Sequence, residues 1–100
     1  MRLWIRQRTH VFLAPAGSGG LSIDRLMVVS GGILLEFTAI PGHLYVVQYS
    51  DDNLLWMDSQ VRIRAAGNRV QWIDQGAPRT GSSPFSTSHR FYRVKEVPEL

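Results

Sequence analysis

Three histidines, a short acidic run and a set of arginines are the residues of this chain that could do chemistry. His10, His43 and His89 are widely separated, and with no cysteine there is no thiolate to join them, so a zinc site is not read. Asp51, Asp52, Asn53 and Asp58 could offer oxygens to calcium, yet Trp56 stands where a twelve-residue calcium loop turns on glycine. Asx turns in a solvated loop are the expected use of those side chains. For hydrolysis, a Gly-x-Ser-x-Gly elbow is missing, and Ser50 beside Asp51, like Ser88 beside His89, lies in turn-like company. Gly17-Ser18-Gly19-Gly20 lacks the Lys-Ser/Thr that completes a phosphate loop. A glycosidase carboxylate pair needs a deep cleft, for which a 100-residue chain has little room. No catalytic, cofactor-binding or metal-ligating residue is assigned, and an enzyme is not expected.

The arginines are more informative. The formal net charge is +3, and Arg2, Arg6 and Arg8 fall in the first ten residues without an acid among them. From Val11 onward, eight basic residues face eight acidic ones. A basic arm thus precedes a neutral body, and its arginines are interleaved with Leu3, Trp4 and Ile5. That mixture suits docking on a partner or pairing with the body better than it suits a nucleic-acid tail, which carries longer Lys/Arg runs. An alternative reading places nucleic acid on a strip of Arg62, Arg64 and Arg69, at an expected hairpin. Arg6 to His10 interrupt any apolar stretch, so no export signal is read. No window approaches the run of about 18 apolar residues that crosses a bilayer.

The elements that must position these side chains alternate at period two. Ile33, Leu35, Phe37 and Ala39 share one face; Tyr45, Val47 and Tyr49 share another; Val61, Ile63 and Ala65 alternate with Arg62 and Arg64. Ser30-Gly31-Gly32, Pro41-Gly42 and Asp51-Asp52-Asn53 separate the runs, and Ala66-Gly67-Asn68 reads as a hairpin turn. Six strands are expected, near 23–29, 33–39, 44–50, 60–65, 69–74 and 90–97, with 11–14 as a seventh. The fold class is all-β, and the turn spacing suits a sandwich or barrel. Residues 1–20 form an arm with a Gly/Ser-rich linker, and 21–100 form one domain. Within the long Gly/Pro/Ser-rich segment 75–88, Phe85 is expected to pin the loop to the sheet, or else to offer a ring to a partner.

In order along the chain stand Pro41-Gly42, Tyr45/Val47/Ser50, Asp51/Asp52 with Trp56, Trp72 with Asp74, and Arg90 to Val94. This series resembles a fibronectin type III-like module, a branch of the immunoglobulin-like sandwiches, found at the C-terminal end of many bacterial cell-surface and secreted proteins. The resemblance covers about 26–97. It implies an antiparallel two-sheet sandwich of about seven strands, in which Phe37, Tyr45, Val47, Trp56, Trp72, Tyr92 and Val94 point inward. It also implies a cell-surface, extracellular or particle-associated setting. The expected function is noncatalytic: structure or protein–protein contact through self-association or a larger assembly, with carbohydrate binding as a further alternative. Arg2, Trp4, Arg6 and Phe85 are the expected contact residues.

Overall fold

The computed structural model describes residues 2–4, 10–13, 20–21, 23–60 and 62–98, and no α-helix occurs among them. The strands are β1 (Arg2–Trp4), β2 (His10–Leu13), β3 (Gly20–Leu21), β4 (Ile23–Val29), β5 (Gly32–Thr38), β6 (Leu44–Ser50), β7 (Met57–Asp58), β8 (Ile63–Arg64), β9 (Arg69–Asp74) and β10 (His89–Val97). A 3-10 turn spans Pro84–Ser86. One sheet has the order β4-β5-β9; the other runs β1-β2-β10-β6-β7, with β3 also on β10 and β8 also on β6. All pairings are antiparallel except β2 on β10. This is an all-β, two-sheet arrangement compatible with a sandwich.

The alternation seen in the sequence decides which side chains meet between the sheets. Ile33, Leu35 and Phe37 of β5 and Val70 and Trp72 of β9 face Tyr45, Val47 and Tyr49 of β6 and Tyr92 and Val94 of β10. Phe37 meets Tyr45 edge-on at 5.5 Å, and Trp72 meets Tyr92 at 6.5 Å, so each ring pair joins one sheet to the other. Burying each large side chain is worth about 1.5 to 3 kcal/mol, and edge-on ring contact adds about 0.5 to 1.5. At the Pro41-Gly42 turn, Gly42 takes φ 85°, a conformation that glycine adopts without a Cβ clash.

Two expectations are corrected. Ala66 to Asn68 do not form a hairpin: Ile63 and Arg64 pair with Tyr45 and Leu44, whereas Arg69 to Asp74 pair with β5 in the other sheet. Ala65 exchanges backbone bonds with the Gly42–His43 turn, and Ala39 N–H reaches Asn68 O, so the chain crosses from sheet to sheet within a few residues. Both runs keep their inward side chains, Ala65 on one and Val70 on the other, so the alternation is satisfied without pairing them. Of the expected 60–65 strand only Ile63–Arg64 is a described strand, and Val61 lies outside the described residues. Trp56 is the second correction. Its indole is not in the core but lies half-buried over the Arg93 guanidinium, 4.0 Å from carbon to ring centre.

At Gly32 β5 lies close against the backbone of β9. A Cβ there would sit 2.3 Å from the Asp74 carbonyl oxygen, a backbone atom with little freedom to retreat. Gly32→Ala should therefore destabilise by about 1 to 3 kcal/mol, seen as a lower urea midpoint. An unchanged midpoint would mean that the two strands part at no cost.

Candidate functional site

The outer edge of β10 is where the arm meets the body. On one side β10 pairs with β6 from Phe91↔Ser50 to Val97↔Leu44. On the other, His89 to Tyr92 pair in parallel with His10 to Leu13, and Val94 and Lys95 pair antiparallel with Leu21 and Gly20. The arm thus supplies two short strands of opposite direction to one edge, and β10 becomes an interior strand. β1 then folds back on β2, with Arg2 opposite Phe12 and Trp4 opposite His10, and forms the new border of the sheet. Strand addition of this kind draws its affinity from main-chain hydrogen bonds and so tolerates many sequences.

Directly behind this edge, β10 carries a buried polar cluster that sequence reasoning missed. Arg90 and Asp74 are both fully buried, one from each sheet, with Arg90 Nη1 3.1 Å from Asp74 Oδ2. Arg90 Nε donates to Asp51 Oδ1 at 2.9 Å, Nη1 donates to Ser82 O at 2.8 Å, and Nη2 donates to Ser82 Oγ at 2.8 Å. Asp74 also accepts from the Tyr92 hydroxyl at 2.6 Å, the Thr80 hydroxyl at 2.7 Å and Gly76 N–H at 2.9 Å. The Tyr49 hydroxyl accepts from Gly81 N–H at 2.7 Å, and the Arg90 guanidinium lies over its ring at 5.0 Å. Burial works against the Arg90 charge, but the hydrogen bond to Asp51 and the charges of Asp74 and Asp51 outweigh it and raise its pKa. Burial, then the Asp74 charge, pushes the Tyr92 phenol far above its ordinary value, so it stays a donor at any working pH.

Such a cluster holds backbone in place, with Arg90 and Asp74 both out of contact with solvent. It fastens the 76–82 segment to both sheets, with Phe85 packed partly buried against the core a few residues later. The Ala77–Pro78 peptide within that segment is cis.

The expected contact residues separate. Arg2 and Trp4 lie together on β1 at the sheet border, Arg6 lies outside the described residues, and the Phe85 ring is engaged within its own domain. The expected arginine strip also divides between the two sheets. Arg69 bonds Glu36 at 2.8 Å and lies 3.5 Å from Asp24 on the three-stranded sheet, while Arg64 belongs to β8 and donates to Gly42 O. The bonds from Arg69 and Gln71 hold the Glu36 carboxyl below its usual range.

The acidic loop after β6 is built around its own backbone. Asp52 Oδ1 accepts from Leu54 N–H at 2.8 Å and Leu55 N–H at 2.9 Å, and also from the Ser50 hydroxyl. Those bonds, the Leu55 amide first, lower the Asp52 pKa. His43 pairs with Glu96 at 2.9 Å, and His89 lies beside Ser88. Among the described residues no three His, Asp or Glu side chains converge as metal ligands would.

The chain matches no protein-family model, no curated protein and no solved structure.

Proposed function

We propose that this chain is a noncatalytic, fibronectin type III-like module for structure and protein–protein contact, a building block of a larger extracellular or particle-like assembly. Filaments, surface layers, phage and injection-system particles are assemblies of the kind meant. The observation that carries this reading is the addition of β2 and β3 to the outer edge of β10. An edge that accepts the chain's own arm through backbone bonds offers the same bonds to the arm of a neighbouring copy, and an unfilled edge of that length is an adhesive surface. The rigid cluster behind the edge supports the reading too, because an anchored β10 is a fixed template for an incoming strand.

The other readings have less support. Arg64 and Arg69 belong to different sheets and Arg62 to neither, and Tyr45, Tyr92 and Trp72, rings a sugar or base would stack on, are at most 4% exposed. Removing residues 1–14 and measuring the mass in solution tests the proposal. The full chain should form a defined oligomer or polymer and the shortened chain should not. A monomer of unchanged behaviour before and after the deletion would overturn it.

A further inference from the structure

A second surface lies away from the β10 edge, where the margins of the two sheets come together. A groove of about 420 Å³ is lined by Gln60, Arg62, Ile63, Trp72, Pro78 and Arg79. Its apolar lining is Ile63, Pro78 and the Trp72 indole, and its polar lining is two arginines and a glutamine, with no carboxylate.

The two arginines differ from Arg25, Arg69, Arg90 and Arg93. Arg69 and Arg90 are paired with carboxylates, Arg25 lies in the field of Glu36, and Arg93 donates to Gln48 while stacking on Trp56. Among the described residues Arg79 has a single side-chain hydrogen bond, from Nη1 to Ile73 O at 2.8 Å, and its guanidinium lies 5.6 Å over the Trp72 ring. The loop beneath it is fixed as well, since Arg79 O accepts from Gln60 N–H at 2.8 Å. Arg79 is thus a preorganised fork with unspent donors. Arg62 is exposed and has neither a hydrogen bond nor an ion pair among the described residues.

A fork held in place by a ring and a carbonyl, beside a second unpaired guanidinium, matches the planar two-oxygen geometry of a carboxylate. The apolar lining favours a ligand whose carboxylates sit next to aliphatic side chains, and the Gln60 amide can meet a peptide group. We propose that this groove is a docking site for a short acidic segment of a partner protein, in which carboxylates alternate with aliphatic residues. Trp72 is only 4% exposed and so offers no stacking platform for a nucleic-acid base, which leaves the peptide as the better occupant.

The test is nuclear magnetic resonance of the full chain titrated with the peptide acetyl-Leu-Glu-Leu-Asp-Leu-amide. A control peptide carries Gln and Asn in place of the acids, and inorganic phosphate is titrated separately. The acidic peptide should move the Trp72 indole N–H and Arg79 Nε–H resonances and leave the Trp56 indole in place. Arg62→Gln and Arg79→Gln should each weaken binding roughly tenfold, the loss of one charge-assisted contact. Arg62 is exposed, so its replacement leaves folding intact even if Arg79→Gln does not. No movement, equal movement with the amide peptide, or the same movement with phosphate at equal concentration would overturn the proposal.

Discussion

Asp74→Ala is expected to remove about 3 to 5 kcal/mol of folding stability, measured as a fall in the urea midpoint. The size follows from what the carboxylate leaves behind. Arg90 is fully buried, and without Asp74 its guanidinium keeps, among the described residues, only the half-exposed Asp51 as a charged partner. The Tyr92 hydroxyl and the Gly76 N–H lose their acceptor at the same time, and the Thr80 hydroxyl is left with Ser82 O alone. A domain of this size has about 5 to 15 kcal/mol in total, so the loss is a large part of the whole. Replacing both partners by apolar residues, Asp74→Leu with Arg90→Met, should cost less than Asp74→Ala alone, because no unpaired charge stays in the interior. A cost below about 1 kcal/mol for the single change would mean that Arg90 is hydrated and that the 76–82 segment is not pinned by it.

Phe37→Ala should cost a similar amount, about 3 to 5 kcal/mol, whereas Trp56→Ala should cost about 1. Trp56 carries the larger ring, and position reverses the order that size alone would give. Phe37 has no exposed surface and joins the sheets through its contact with Tyr45, so truncation opens a cavity between them. Trp56 lies on the outer face over Arg93, and its removal loses a ring–cation contact that is already partly solvated. Paired urea unfolding curves check this, and equal losses for the two variants would return Trp56 to the core.

The contrast shows what one sequence can reveal. Tyr45, Val47 and Tyr49 were legible as an inward row because alternation over a whole strand fixes their face, and β6 spans Leu44–Ser50 as the period requires. Trp56 follows the Asp51–Asn53 turn and precedes only the two-residue β7, so no period reaches it. Val61 to Asp74 read as a hairpin because two alternating runs with Gly and Asn between them satisfy the local rules. The choice to pair with β6 and β5 was made by the sheets already in place, which a local pattern does not encode.

The Arg90–Asp74 pair was legible in one respect that polarity concealed. Asp74 has the same parity as Val70 and Trp72 on β9, and Arg90 the same parity as Tyr92 and Val94 on β10, so alternation alone turns both charges inward. Two opposite charges placed on facing inner rows are the signal that could have found the cluster. Which loop would satisfy their remaining hydrogen bonds was not readable, since Thr80 and Ser82 lie in an irregular segment without a period. The basic arm was visible by composition, but its pairing partner depends on β10 having an unfilled side, a property of the folded sheet.

Amide hydrogen exchange along β10 tests the strand-addition site most directly. Alternate N–H groups of an antiparallel strand point to opposite neighbours, so one set faces β6 and the other faces the arm. In the full chain both sets should be protected. After removal of residues 1–21 the arm-facing set should exchange nearly as fast as an unstructured peptide while the β6-facing set stays slow, and adding back a peptide of residues 1–21 should restore the protection. Arm-facing amides that stay slow without the arm, or that exchange rapidly in the full chain, would contradict the assignment of this edge as the interaction site.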